Sequence, residues 1–435
     1  MTVAATVSAV ATATTAGTKL PPAKKDRSGG LFWYTPHSTP NLLASTMDYA
    51  AASLEEHRRL KGKIEMKAKA SVTSRDDLAT FYSPGVGAVS SAIAENPHLS
   101  WELTWRSNTV AVISDGSAVL GLGNIGALAA QPVMAGKALL FKEFAGIDAI
   151  PLVLDTQDTQ EIIDTVTRLA PSFGGVNLED ISAPRCFTIE ADLQDLGIPV
   201  MHDDQHGTAV VVVAGLLNAM RALNLKLSET RIVVNGAGAG GTAVTDMILA
   251  TAPGVDITVV DSKGIIGPDR TDLNSEKQLL LGRTNPRQLS GSLEVALEGA
   301  QIFIGLSKAG ALPAAYIAKM AANPVIFALA NPKPEIMPDE AKASGAAIVA
   351  TGRSDFPNQV NNVLAFPGIF RGALDAGATK ITQGMLNAAV EALAQSVASP
   401  TPEVILPNPL DKQVVPNVAA AVAAAAQAEG CIRTK

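Results

Sequence analysis

Short runs rich in Val, Ile and Leu alternate with longer amphipathic runs over most of this chain. TVAVIS (109–114), AIPLVLD (149–155), GVNLED (175–180) and IPVMHDD (198–204) have the apolar density of strands buried on both faces. Between them AAQPVMAGKALLFKEF (129–144), TQEIIDTVTRLA (159–170) and FTIEADLQDL (187–196) read as helices. This alternation predicts a parallel sheet covered by helices. After an apolar helix, GTAVVVVAGLLNAMRALN (207–224), the pattern restarts. RIVVNGAGAGG (231–241), VDITVVDSKG (255–264), AQIFIGLS (300–307), PVIFALANP (324–332) and AAIVATGRSD (346–355) each read as a strand running into a small or polar turn. The expected fold class is α/β, with two doubly wound domains in tandem joined near residues 206–230. Two alanine-rich stretches, 381–398 and 415–430, are expected to be helices with a packing role.

Composition narrows the setting. A length of 435 residues suits two domains, and 47% hydrophobic residues can fill both cores. The formal charge of −7, without a long run of one sign, gives no reason to expect a nucleic-acid or membrane partner, while small anionic substrates stay open. Cys186 and Cys431 are far apart and form no CxxC spacing, which argues against a disulfide framework or thiolate metal site and suits a reducing, cytoplasmic setting. The N-terminal stretch is rich in Ala, Thr, Gly and Pro and lacks the basic start of an export signal, so residues 1–38 are expected to form a flexible arm. The longest apolar run, GTAVVVVAGLLNAM, is too short to cross a bilayer and reads as a buried helix.

Gly236, Gly238 and Gly241 form GxGxxG, with Ala237, Ala239 and Gly240 between them, directly after the strand RIVV and before the helix-like TAVTDMILA. Strand, glycine loop and helix in that order point to a Rossmann-type dinucleotide site, whereas the spacing alone would fit a tight packing turn. Asp261 ends the next strand twenty residues beyond Gly241, where a carboxylate can accept from a ribose diol. That favours NAD. NADP is the alternative, because Lys263 is placed to offset repulsion of a 2′-phosphate.

MHDDQHGTA (201–209) offers two incompatible metal sites. His202 and His206 have the spacing of a zinc helix, but IPVM before them reads as a strand, so they are expected at a strand end and on a loop, pointing apart, in a supporting role. The acids carry the stronger case. Glu179 and Asp180 follow the strand GVNL, and Asp203 and Asp204 follow IPVM, so both pairs are expected at the same carboxyl edge of one parallel sheet. Carboxylates converging there repel unless protonated or bridged by a cation, and an all-oxygen set favours Mg²⁺ or Mn²⁺. The bland alternative is that each acid is a solvated cap at a helix start.

The segments FYSPGVG, ISDGSAVLGLGNIG, VNLEDISAP, MHDDQHGTA, NGAGAGG, FALANPKPE and SDFPNQVNNVLAFPGIFRGALD, in that order, resemble the short bacterial malic enzymes over residues 75–400. The resemblance implies oxidative decarboxylation of malate to pyruvate with NAD, or NADP, and a divalent ion, in a homodimer. It implies Tyr82 as general acid, Lys137 as general base, Glu179, Asp180 and Asp204 as metal ligands, Asp203 as partner of the lysine, and Asn331 and Asn362 as substrate contacts. It also implies a substrate and metal domain over 39–206, a nucleotide domain over 207–400 and a helical tail over 401–435. Two positions depart from the family pattern: Ala118 stands where longer relatives have an arginine, and Asn124 where many have an aspartate. To act as a base Lys137 needs a lowered pKa, expected from its apolar helix and a nearby cation. On residue type alone Lys137 reads as a snorkelling helix lysine no different from Lys142, Tyr82 as packing at a turn, and the asparagines as turn-formers. A malolactic lyase, a non-catalytic nucleotide sensor and a zinc hydrolase are the rival functions.

Overall fold

The computed structural model describes residues 49–119 and 121–434, so the arm at 1–38 lies outside the described residues. The chain divides into two units, 1–54 and 55–435, and the first contributes only Tyr49–Leu54 to the description. Three helices come first: α1 (Tyr49–Leu60), α2 (Arg75–Phe81) and α3 (Gly85–Glu95). Ser74 starts α2 with a reciprocal capping box to Asp77. None of the three helices buries a residue.

The first sheet has the order β2-β1-β3-β4, all parallel, from β1 (Thr109–Ser114), β2 (Asp148–Val153), β3 (Gly175–Leu178) and β4 (Val200–His202). Its crossovers are α4 (Ala127–Ala145), α5 (Thr159–Leu169) and α6 (Arg185–Asp192). Leu178 pairs in register with His202, so the residues just past β3 and β4 leave the sheet side by side. That register is what brings two acid pairs together.

Helix α7 (Asp203–Leu223) begins at the residue after β4, four positions earlier than the apolar run predicts. With 21 residues it is long and apolar enough to cross a membrane, but 67% of its most apolar window is buried inside the protein, which makes it a core helix.

The second sheet has the order β10-β9-β8-β5-β6-β7. Its strands are β5 (Arg231–Asn235), β6 (Asp256–Asp261), β7 (Gly264–Ile265), β8 (Ile302–Gly305), β9 (Val325–Ala328) and β10 (Ile348–Thr351). Counted within this half, that is the Rossmann order with its third strand reduced to a two-residue antiparallel piece. Helix α8 (Ala239–Thr251) follows β5 and packs along α7.

The expected C-terminal helices are present. α9 (Phe366–Ala376) and α10 (Gln383–Gln395) pack with α11 (Val414–Ala428). The crossing of α9 and α11 is close because Gly368 and Gly372 present no side chains; a Cβ on Gly372 would lie 2.3 Å from the carbonyl oxygen of Ala419. Phe141 of α4 packs edge-on against Phe366 and Phe370 of α9, with centroids 4.7 and 5.4 Å apart. These rings hold the lysine-bearing helix against α9.

Candidate active site

Glu179 and Asp180 follow β3, and Asp203 and Asp204 open α7. One oxygen each from Glu179, Asp180 and Asp204 lie within 4.8 Å of one another. Asp204 Oδ2 accepts the Asp180 N–H at 2.8 Å, and Asp180 adopts a left-handed backbone (φ 54°), unusual for a residue with a side chain. Lys137 Nζ donates to Asp203 Oδ2 at 2.6 Å and to Glu179 Oε1 at 2.8 Å, and lies 4.3 Å from the centre of the Phe366 ring. Asn177 donates to the second oxygen of Glu179 at 2.8 Å, and Asn362 donates to Asp203 Oδ2 at 3.1 Å. Lys137 thus contacts two of the four carboxylates, Glu179 and Asp203.

The electrostatics follow from that imbalance. Burial pushes Glu179 well above the ordinary carboxylate range, Asp204, Asp203 and Asp180 add repulsion, and Lys137 only partly opposes them. Burial likewise raises Asp203 against the pull of Lys137. For Lys137 burial alone acts to lower the pKa, but Asp203 and Glu179 outweigh it and the net shift is upward. This corrects the expected lowering: the apolar residues around Lys137 along the sequence are real, yet the two carboxylates come from positions far along the chain. A divalent ion fits this set of hard oxygen donors, which carries more negative charge than one lysine can balance.

His202 ends β4 as expected, but His206 occupies a different place. His206 lies in the first turn of α7, not on a loop, and its Nε2 is 3.0–3.1 Å from the two oxygens of Glu190. Glu190 also accepts the His202 N–H at 2.8 Å and the Gln205 amide at 3.0 Å. His202 is fully buried at the end of β4. With His206 committed to Glu190, the described residues hold no zinc-type group around this pair. Glu190 itself was not foreseen, because its partners lie 12–16 positions downstream.

The glycines of the loop after β5 have three distinct tasks. Gly236 (φ 136°) passes so close to Leu306 that a Cβ would lie 2.4 Å from its carbonyl oxygen. Gly241 packs on Gly236, with 1.9 Å from a Cβ to the carbonyl oxygen of Gly236, whereas the Cβ direction of Gly238 is open. A cavity of about 690 Å³ lies over Gly236, Ala237 and Gly238 and extends to Asp261, Lys263 and Lys308. Ala239, Gly240 and Gly241 form the first turn of α8, which begins directly after the cavity-lining Gly238, and a helix N-terminus is suited to a phosphate. The shape and the loop fit a dinucleotide.

Asp261 is less available than its position implies. Arg270 Nη1 and Nη2 lie 3.0 and 3.1 Å from its oxygens, Lys277 Nζ 2.6 Å and the Lys263 N–H 2.8 Å. Burial acts to raise its pKa, but Arg270 and Lys277 overcome it and hold the carboxyl at about 2. The charge expected to repel a 2′-phosphate is already balanced.

The two half-sites meet. A Cβ on Gly240 would lie 3.3 Å from the carbonyl oxygen of Asp204, so the nucleotide loop touches the acid-bearing helix. The Ala118 N–H bonds the Asp180 carbonyl at 2.9 Å, and the carbonyl of Asn331 lies 2.3 Å from where a Gly121 Cβ would be. Ala118 thus reaches the acids and Gly121 the asparagine turn. Glu335, which sequence reasoning overlooked, braces that turn by accepting the Ala330 and Ser307 N–H groups, each at 3.0 Å. Arg185, likewise overlooked, pairs with buried Asp115 at 2.7 Å. Asn124 exchanges side-chain bonds with Gln157 at 2.9 and 3.1 Å. Tyr82 stands apart: it caps α2, is 69% exposed, and its hydroxyl makes no hydrogen bond among the described residues.

Two family models match this architecture: malic enzyme, N-terminal domain over residues 61–194, and malic enzyme, NAD binding domain over 205–427. The chain belongs to the malic enzyme family. It is 50% identical over 392 residues to the bifunctional malic/malolactic enzyme of Bacillus subtilis, covering 89% of this chain and 95% of that one. It is 52% identical to the NAD-dependent malic enzyme of Geobacillus stearothermophilus, covering 86% of this chain and 78% of the relative. The NADP-dependent malic enzyme of Halomonas elongata is 46% identical, with 88% and 94% covered. The crystal structure of the NAD-dependent malic enzyme of Thermotoga maritima superimposes with a TM-score of 0.83 at 52% identity, over 85% of this enzyme and 98% of that chain. The resemblance, the α/β class and the assignment as an oxidoreductase thus stand, as does use of NAD or NADP.

Proposed function

We propose that the enzyme oxidatively decarboxylates (S)-malate to pyruvate and CO₂, reducing NAD or NADP, with Mg²⁺ or Mn²⁺ held by Glu179, Asp180 and Asp204. The observation that carries this reading is the convergence of Glu179, Asp180 and Asp204, with Lys137 bound to Glu179 and Asp203, directly beside the glycine loop. When bound, the ion supplies an electrophile at the C2 oxygen of malate and draws charge from Glu179, and the dinucleotide supplies the hydride acceptor. Lys137 is the general base for the C2 hydroxyl. It must first release a proton, and Asp203, made more basic by burial and 2.6 Å from Nζ, is the nearest acceptor. Asn362 holds Asp203 in that position at 3.1 Å, and Asn331 faces the substrate from its braced turn. Tyr82 returns a proton to C3. We assign the substrate and metal part to 39–206, the nucleotide part to 207–400 and the tail to 401–435, with α7 running across the first boundary.

NAD is the first choice of cofactor, on the position of Asp261. Arg270, Lys277 and Lys263 around that carboxylate make NADP a real competitor. A second reaction, malate to lactate with the nucleotide kept bound, is favoured by the bifunctional name of the Bacillus relative. The test is purified enzyme with malate and Mn²⁺ and either nucleotide, following nicotinamide absorbance and analysing products. Pyruvate with reduced nucleotide is the expected result; lactate without it supports the second reaction, and no turnover with either nucleotide removes both.

We also infer a homodimer in the cytoplasm. Exposed Leu60, Ile64, Met66, Leu78, Phe81 and Val86 line helices α1–α3 and their linkers, and more than half of the exposed large apolar side chains among the described residues fall between Tyr49 and Val89. A second copy of the chain is the occupant proposed for this surface. Tyr82 sits within it, so the tyrosine is assigned to the partner copy's site. The cytoplasmic setting rests on two free cysteines, one of them fully buried.

A further inference from the structure

His202 is an anomaly inside a well-bonded region. Its side chain has no solvent exposure, and neither ring nitrogen has a hydrogen-bond partner among the described residues. Burying such a ring unpaired is costly, and native interiors seldom leave it so. Its backbone is fixed: β4 pairs it with Leu178, and its N–H is held by Glu190 at 2.8 Å. It stands at the N-cap of α7 yet makes no cap bond through its side chain. The ring instead directs Nδ1 at Asp204 Oδ2, 3.7 Å away, just beyond hydrogen-bond length.

That same oxygen already accepts the Asp180 N–H at 2.8 Å. A second donor on Oδ2 would stop the carboxylate from pivoting and turn Oδ1 toward Glu179 and Asp180. We propose that His202 is a positioning residue for the divalent-cation site: with its proton on Nδ1 it donates to Asp204 Oδ2 and fixes the direction in which Asp204 presents its other oxygen. The inference rests on the reading of Glu179, Asp180 and Asp204 as a cation site. Carboxylate ligands are commonly held from behind in this way, and losing the holder weakens metal affinity without removing a ligand. The two nitrogens of the ring can be told apart by amide side chains, since the Asn amide reaches the place of Nδ1 and the Gln amide that of Nε2.

The experiment titrates Mn²⁺ alone into the full-length enzyme by calorimetry for wild type, His202→Asn, His202→Gln, His202→Ala and Asp204→Ala, with the unfolding temperature of each recorded without metal. The Gln and Ala variants should lose affinity by about tenfold or more, while Asn stays within about threefold of wild type. Asp204→Ala should lose binding. If Asn is as weak as Gln, or if all three His202 variants bind like wild type, His202 does not position Asp204. A wild type that binds no Mn²⁺, or an Asp204→Ala variant that binds it unchanged, overturns the cation site and the inference with it. Should Ala fail to fold, the comparison of Asn with Gln still decides.

Discussion

Lys137 and Lys142 lie five positions apart on the same helix and have different surroundings. Lys137 is 11% exposed and held by Glu179 and Asp203, whereas Lys142 is 56% exposed and pairs with Asp148 at the sheet's edge. An exposed pair of the second kind contributes little, so Lys142→Ala should leave malate oxidation within about twofold of wild type. Lys137→Ala should lower kcat by about 10²–10⁴, the range of a lost general base. Nucleotide affinity, measured by fluorescence titration, should stay near wild type in both, because neither lysine lines the cavity over the glycine loop. Equal activities in the two variants would remove Lys137 from the mechanism. Residue type and sequence neighbours could not separate these lysines; the acids that do so lie 42 and 66 positions downstream of Lys137 and meet it only through the register of β3 and β4.

At the scale of elements, the alternation of apolar runs located strands and helices because most strands are largely buried and most end in a polar turn; β2, at the sheet's edge, is part-buried throughout. The start of α7 was misread for a physical reason: β4 passes into the helix with no intervening loop, so HDDQ carries no turn signal. The same junction hid the part-buried Glu190–His206 pair. Burial acts to raise Glu190, but His206 and His202 hold it below the ordinary carboxylate range; burial acts to lower His206, but Glu190, Asp203 and Asp246 hold it above the ordinary imidazole range. The signs follow by linkage. The His206 contribution is complete below its unfolded value of about 6.5 and fades as pH rises through its raised folded value. The Glu190 contribution is present above its unfolded value of about 4.3 and fades as pH falls through its lowered one. The pair therefore supports α7 most strongly between about pH 4.3 and 6.5. Scanning calorimetry should show the unfolding temperature of the wild type falling more steeply from pH 6.5 to 9 than that of Glu190→Gln, a window set by the histidine's ordinary value of about 6.5. Parallel curves would mean the pair contributes nothing that depends on pH.

At the scale of the whole molecule, residues 75–95 combine features that one chain does not reconcile. FYSPGVG carries Tyr82, yet α2 and α3 bury no residue, and Tyr82 is among the most exposed large hydrophobic side chains of the described residues. Lys137, Glu179, Asp203 and Asn362 are joined by direct contacts, whereas Tyr82 touches none of them, so its proposed role calls for the tyrosine of a partner copy. A symmetric dimer can satisfy both needs, since a surface that covers its partner's apolar face receives the same cover in return. Co-expression of Tyr82→Phe and Lys137→Ala chains with different tags then separates the possibilities. If tyrosine crosses between subunits, each mixed dimer contains one site with both residues intact and one with neither, and random pairing restores about a quarter of the wild-type sites. If tyrosine serves its own chain, every site in the mixed dimer lacks one of the two groups and activity stays at the level of the separate variants. Isolating mixed dimers through both tags raises the expected recovery to about half, because half of the sites in each such dimer are complete. A mixed dimer that is stable but inactive would return Tyr82 to its own subunit, while failure to recover any doubly tagged species would remove the dimer itself.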